Sequence, residues 1–205
     1  MVSKLLLAVQ ECYFAAIERG EDQALVQRIG GYYFRVRAGL SYNKSPEEYG
    51  AFPCDPYSHT PGHAGAQQPG MTGQVKEEVI TRFGELGIQV RSGRIVFNPA
   101  LLVRGEFNLS PRTYRYRDVL GDEHELALDS DELAFSFCQV PVRLRLASLP
   151  GARLILRAVR ATGEVHQAEG DALPVEISEQ IFGRTGAIRS IEIELPARLL
   201  FQDQG

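Results

Sequence analysis

The sequence predicts an α+β chain: an N-terminal helical hairpin plus one further helix, as in a partial α/α barrel, followed by an antiparallel β-sandwich. Three observations carry this expectation. Apolar residues recur at helical spacing up to residue 37 and again over 72–86. From residue 88 the period changes to two, with turn residues between the runs. Between the two helical stretches lies a long Pro- and Gly-rich segment, 38–70, without periodicity. The predicted domains are 1–87, helical with that polar loop, and 88–205, sandwich-like.

The first helix spans 2–19, with Leu5, Leu6, Val9, Tyr13, Ala16 and Ile17 at helical spacing and Gly20 as its stop. Its pattern starts at Met1 without a capping residue, which fits either an upstream extension or a frayed end. The second helix runs over 21–37, with Leu25, Ile29, Tyr32, Tyr33 and Val36 on one side. The short link between them favours antiparallel packing. The third covers 72–86, where Val75, Val79, Phe83 and Leu86 recur, Thr72 is the candidate cap and Gly87 ends it.

The first β-hairpin is written in Ile88-Gln89-Val90 and Arg94-Ile95-Val96-Phe97 around Ser92-Gly93. Asn98-Pro99 breaks the chain. Strands are then expected near 112–119, 124–128, 133–146, 152–160, 164–168 and 188–195, with turns at Gly121-Asp122 and Thr162-Gly163 and a short helix near Ser178–Phe182. Arg143 to Leu146 and Ile191 to Leu195 alternate, which implies one buried and one wet face.

Composition narrows the function classes. A net charge of −4 and the lack of any Lys/Arg run argue against nucleic-acid and membrane partners. Cys12, Cys54 and Cys138 are odd in number and far apart, so they read as free thiols of a reducing compartment rather than zinc or redox pairs. The apolar run Leu5 to Val9 ends at Gln10-Glu11 with no small-residue cleavage site, and is far shorter than the ~20 residues of a membrane span. A cytoplasmic location is the expectation. Trp is absent, which counts against an indole platform for sugars.

A long ordered loop is usually functional, and four readings compete for this one. Asp55, His59 and His63 repeat every four residues like metal ligands, but Pro56 and Pro61 forbid the regular helix that would align them, so no metal is expected. Asp55, His59, His63, Glu77 and Glu78 contain the residue types for acid–base catalysis, although carboxylates in a first helical turn also suit the macrodipole. Gly70-Met71-Thr72-Gly73-Gln74 opens a helix, whose free N–H groups suit a phosphate or a sugar hydroxyl, with Gln68, Thr72, Gln74 and His63 as converging side chains. Asp55, Tyr57 and His59 on the same loop complete the candidate binding set. In the fourth reading, Tyr42, Tyr49, Phe52 and Tyr57 pack the loop as a lid.

The run from His63 to Leu102 resembles the C-terminal motif region of six-hairpin, (α/α)6-barrel carbohydrate enzymes, most nearly the cellobiose-phosphorylase-like glycoside hydrolases. The matching pieces are His63-Ala64-Gly65, Gly70 to Gln74, the helix Val75 to Leu86, Gly87-Ile88, and Ile95 to Leu102. The resemblance implies a carbohydrate-active chain in which His63, Thr72, Gly73 and Gln74 bind phosphate or border the sugar site. It implies no cofactor. Gln74-Val75-Lys76 replaces the aromatic residues usual after the glycines, a departure that sets phosphorolysis in doubt. The family's general acid lies on an earlier hairpin that this chain lacks, so no catalytic residue is assigned. The expected function is the C-terminal part of a glycoside hydrolase or phosphorylase-like enzyme, with carbohydrate and phosphate as ligands. Self-association or a missing N-terminal barrel portion would cover its apolar hairpin. The alternative is a stand-alone carbohydrate-binding or structural module.

Overall fold

The computed structural model of the chain describes residues 2–40, 45–49, 75–149, 151–168 and 170–202. The chain divides into a helical unit up to Gly84 and a β-rich unit over 85–202. The α+β expectation and the helical hairpin both hold.

In the helical unit, α1 (Val2–Arg19) and α2 (Gln23–Ala38) pack together. Gly20 ends α1 at a φ of 67°, a conformation open to a residue without a β-carbon. Asp22 then starts α2, its carboxylate accepting from the N–H groups of Ala24 (3.0 Å) and Leu25 (3.2 Å). The buried faces are turned relative to the apolar stripes. In α1 the buried line is Ser3, Leu6, Gln10, Tyr13 and Ala16, while Leu5 is 53% exposed. In α2 it is Val26, Gly30 and Tyr33, while Tyr32 is 50% exposed. Burial pushes the Tyr13 phenol up to about 12. A short helix, α3 (Pro46–Tyr49), interrupts the segment expected to be a loop.

Helix α4 is described over Val75–Glu85, and the candidate cap Thr72 lies outside the described residues. Its Val79 and Ile80 are exposed, and the buried face is instead Glu77, Thr81 and Gly84, at i, i+4 and i+7.

The β-rich unit opens with the expected hairpin, β1 (Ile88–Arg91) and β2 (Arg94–Phe97), turned by Ser92 (φ 48°) and Gly93 (φ 74°). Gly87, at φ 89°, lies against the Phe97 ring, which leaves no room for a β-carbon. A second hairpin pairs β3 (Arg112–Arg117) with β4 (Glu123–Leu128). The main sheet has five strands in the order β5-β6-β9-β7-β8, comprising β5 (Glu132–Phe137), β6 (Val140–Leu146), β7 (Ile155–Arg160), β8 (Val165–Gln167) and β9 (Ile188–Leu195).

Two features of that sheet depart from the expectation. The strand predicted over 133–146 is two strands, folded back at Cys138 and Gln139. The β6–β9 pairing is parallel, whereas the other pairings in the sheet are antiparallel. The chain reaches β9 through helix α5 (Val175–Phe182), which contains the expected short helix and starts three residues earlier, and inserts β9 between β6 and β7.

Alternation sorts the sheet faces. Val142, Ile191 and Ala158 lie in one row, and Leu144, Ile193 and Leu156 in the next, all essentially without solvent contact. Ile177 and Ile181 of α5 are equally buried. Fully burying each such side chain contributes roughly 1.5–3 kcal/mol before entropy is counted. Ser178 of α5, also buried, accepts from the Ile95 N–H (3.0 Å) and donates to the Pro174 carbonyl (2.9 Å), tying the helix to β2. The opposite sheet face carries Arg143, Glu192 and Arg157 in one row, and Glu132, Arg145 and Glu194 in the next.

Candidate functional site

The candidate binding residues Asp55, Tyr57, His59, His63, Gln68, Thr72, Gly73 and Gln74 lie outside the described residues. So do the lid aromatics Tyr42, Phe52 and Tyr57, and Cys54. The described chain resumes at Val75, directly after the candidate helix start. Polar side chains in the first turns of α4 are therefore the described groups nearest to it in sequence.

Those side chains belong to a buried polar layer in the helical unit. The Gln10 Nε2 donates to the Thr81 carbonyl at 2.8 Å and to the Tyr33 hydroxyl at 3.3 Å. The Thr81 hydroxyl donates back along its own helix to the carbonyls of Glu77 (2.9 Å) and Glu78 (3.0 Å). The Ser3 hydroxyl donates to Glu78 Oε1 at 2.7 Å. Sequence reasoning treated Gln10 only as the end of an apolar run. Its position, four residues after Leu6 and three before Tyr13, was the available signal, because that spacing places it on the buried stripe.

The structure separates Glu77 and Glu78, weighed together as an acid–base pair. Glu78 is partly exposed and holds Ser3. Glu77 is 7% exposed, and its Oε2 is buried with no hydrogen-bond partner. Most buried polar atoms in folded proteins are satisfied, so an open carboxylate oxygen calls for a reason. Chemically, such a group can accept hydrogen bonds from a ligand hydroxyl or amine.

The β-rich unit holds two further constellations that sequence reasoning did not single out. Glu132 is 1% exposed and accepts from Arg143 Nη2 (2.6 Å), Arg145 Nε (2.7 Å) and the Asp129 N–H (2.9 Å). Burial pushes its carboxyl up, but the hydrogen bonds from Arg143, Asp129 and Arg145 outweigh burial and hold it below the ordinary carboxylate range. With its acceptor positions filled by protein donors, this carboxylate is a structural clamp.

The other lies on the β3–β4 hairpin. Tyr114 and Tyr116 stack at 5.9 Å between centroids, and Tyr116 stacks on His124 at 5.3 Å. Asp118 Oδ2 bonds His124 Nε2 at 2.8 Å, and that bond is the main cause holding its carboxyl below the usual range. The Tyr114 hydroxyl and Ser136 Oγ, 2.9 Å apart, fasten the hairpin to β5. On the hairpin's other face Arg115 and Arg117 pair with Glu125 and Glu123 directly across the strands. These pairs are exposed, and each contributes about 0–1 kcal/mol.

Among the described residues no group of three His, Cys, Asp or Glu is placed to hold a metal ion. No described helix is long and apolar enough to cross a membrane. The chain matches no protein-family model, and no curated protein matches it significantly.

Proposed function

We propose that the chain is part of a carbohydrate-active enzyme of the six-hairpin glycoside hydrolase or phosphorylase kind, contributing the sugar- and anion-binding loop that ends at Gln74. The observation behind this reading is the order of elements around that loop. An antiparallel-type helical hairpin precedes it, and α4, the β1–β2 hairpin and the buried Leu101–Leu102 pair follow, as the resemblance requires. The exposed Leu5, Leu25, Tyr32, Val79 and Ile80 of the helical unit support the expectation of covering helices, from a second copy or from further barrel segments.

The test is calorimetric titration of the full chain with D-glucose, cellobiose, maltose, xylobiose and inorganic phosphate. Saturable sugar binding, weakened about tenfold by His63→Ala and by Thr72→Ala without loss of thermal stability, is the expected result. No binding of any sugar overturns the reading.

A second reading, a carbohydrate-binding module without catalysis, is favoured by the stacked strip of Tyr114, Tyr116 and His124. It requires that Tyr116→Ala abolish sugar binding and that His63→Ala leave it intact.

A further inference from the structure

The polar face of the main sheet sorts its charges by strand. On β6 that face carries Arg143 and Arg145; on the neighbouring β9 it carries Glu192 and Glu194. Arg143 is level with Glu192, and Arg145 with Glu194. Opposite charges in such register normally pair, as Arg115 does with Glu125 on the outer face of the β3–β4 hairpin. Here they do not. Arg143 and Arg145 turn the other way, to Glu132 on β5. Arg157 on β7 turns to Gln167 on β8 (3.3 Å). Glu192 and Glu194 stand between these arginines, half-buried, with no ion pair or side-chain hydrogen bond among the described residues. Glu194 is near enough to act on the charge of Arg145 without bonding it. Glu132 takes Nε and Nη2 of Arg143 and Nε of Arg145, so both guanidinium groups keep N–H donors, and the Arg145 side chain is 57% exposed.

We infer that this face docks a second copy of the chain as a twofold dimer. A face with one basic and one acidic strand side by side is complementary to itself in one orientation. A twofold axis parallel to the strands, midway between β6 and β9, lays the partner's Glu192 over Arg143 and the partner's Glu194 over Arg145, and the symmetry repeats both pairings. The partner's Arg157 then falls over Ala134, whose small side chain leaves room for it. The strand directions of the two sheets stay aligned, a common way for sheets to pack. An axis across the strands would instead stack Arg143 on the partner's Arg145 and Glu192 on the partner's Glu194, which repel. Five strands ~4.8 Å apart and about six residues long give a face of about 24 by 20 Å. Two such faces bury on the order of 1,000 Å², the lower limit for a specific interface. Exposed ion pairs add little each, so the dimer is weak, with a Kd on the order of 100 µM, and sensitive to salt. The inference takes no support from the sugar reading, and its surface is separate from the exposed apolar residues of the helical unit.

The experiment is sedimentation equilibrium of the full chain over a concentration series, at low salt and at about 0.5 M NaCl. A monomer–dimer equilibrium is expected, weakened about tenfold by the added salt. Glu192→Gln with Glu194→Gln should weaken the dimer by about tenfold. Glu192→Lys with Glu194→Lys should abolish it, because lysines then face the partner's arginines. Neither pair should change the Tm by more than about 2 °C, since the two carboxylates hold nothing within the chain. Glu125→Lys, a like charge change on the hairpin, should leave the dimer intact. A chain that stays monomeric in low salt overturns the inference, as does a dimer that keeps its affinity in both salt and the glutamine variant. A dimer lost with Leu5→Asp or Val79→Asp, and not with the glutamate variants, places the interface on the helical unit and also overturns it. Sugar titration of the same proteins reads the proposed function separately.

Discussion

Gly84 and Gln10 share one space: a β-carbon on Gly84 would fall inside the Gln10 carboxamide. The glycine lets α4 approach Gln10, which ties α1, α2 and α4 together through Thr81 and Tyr33. Gln10 is the end of a flexible side chain, so sterics alone would let it swing aside, but its two hydrogen bonds resist.

Gly84→Ala therefore sets two effects against each other. Alanine favours the helix by about 1 kcal/mol, and displacing the carboxamide costs about 1–3 kcal/mol in buried hydrogen bonds. A net loss of roughly 1 kcal/mol is expected. In a Gln10→Ala background the same substitution should instead stabilise, by about 1 kcal/mol. Urea unfolding of the four proteins measures this coupling, and simple additivity would show that Gln10 does not depend on Gly84.

Glu132 makes stability pH-dependent in a defined direction. Its carboxyl is held below the ordinary range in the fold, so the folded state favours the ionised form. That contribution is complete above the unfolded carboxyl's pKa and is lost as pH falls through the lower folded value. Thermal melts from pH 7 to pH 3 should show Glu132→Gln less acid-sensitive than the parent chain. At pH 7 the variant should be less stable by about 2–3 kcal/mol, because Arg143 and Arg145 lose their shared acceptor. A parallel acid limb in both proteins would contradict this account.

The β5–β6 turn places Cys138 (φ 50°) and Gln139 (φ 64°) in the left-handed region without a glycine. Two-residue hairpins of that geometry favour asparagine and glycine. Cys138→Asn should raise stability by about 1 kcal/mol. Gln139→Gly should change little, since it relieves strain but removes the 3.0 Å hydrogen bond from Gln139 to the Asp118 carbonyl. Chemical denaturation midpoints decide this, and a destabilised Cys138→Asn would show that the thiol packs better than the turn preference is worth.

The same pair of turns shows what was legible in the sequence. Ser92-Gly93 announced a hairpin because glycine advertises a positive φ, whereas Cys138-Gln139 did not, and a continuous strand was read through it. Helix existence follows from periodicity, and Leu6, Tyr13, Ala16 and Tyr33 of the apolar stripes are buried, but the rest of the buried faces was not legible, because Ser3, Gln10, Glu77 and Thr81 are polar residues that burial accepts once they are packed together. Partner choice in a sheet is non-local, so the parallel neighbour of β6 had no signature near either strand. Of the candidate site, Glu77 was weighed, but its enclosure is a property of packing; the loop residues from Asp55 to Gln74 lie outside the described residues.

Strand β9, near the end of the chain, occupies the middle of the main sheet. The β5–β6 and β7–β8 hairpins close over short sequence distances and can form while the chain is still being synthesised. Neither can bury its row of Val142, Leu144, Leu156 and Ala158 against a neighbour until Ile188–Leu195 has left the ribosome and threaded between them. The β-rich unit is thus latched by its last strand, and any nascent or proteolysed form ending before residue 188 presents two sticky half-sheets to chaperones.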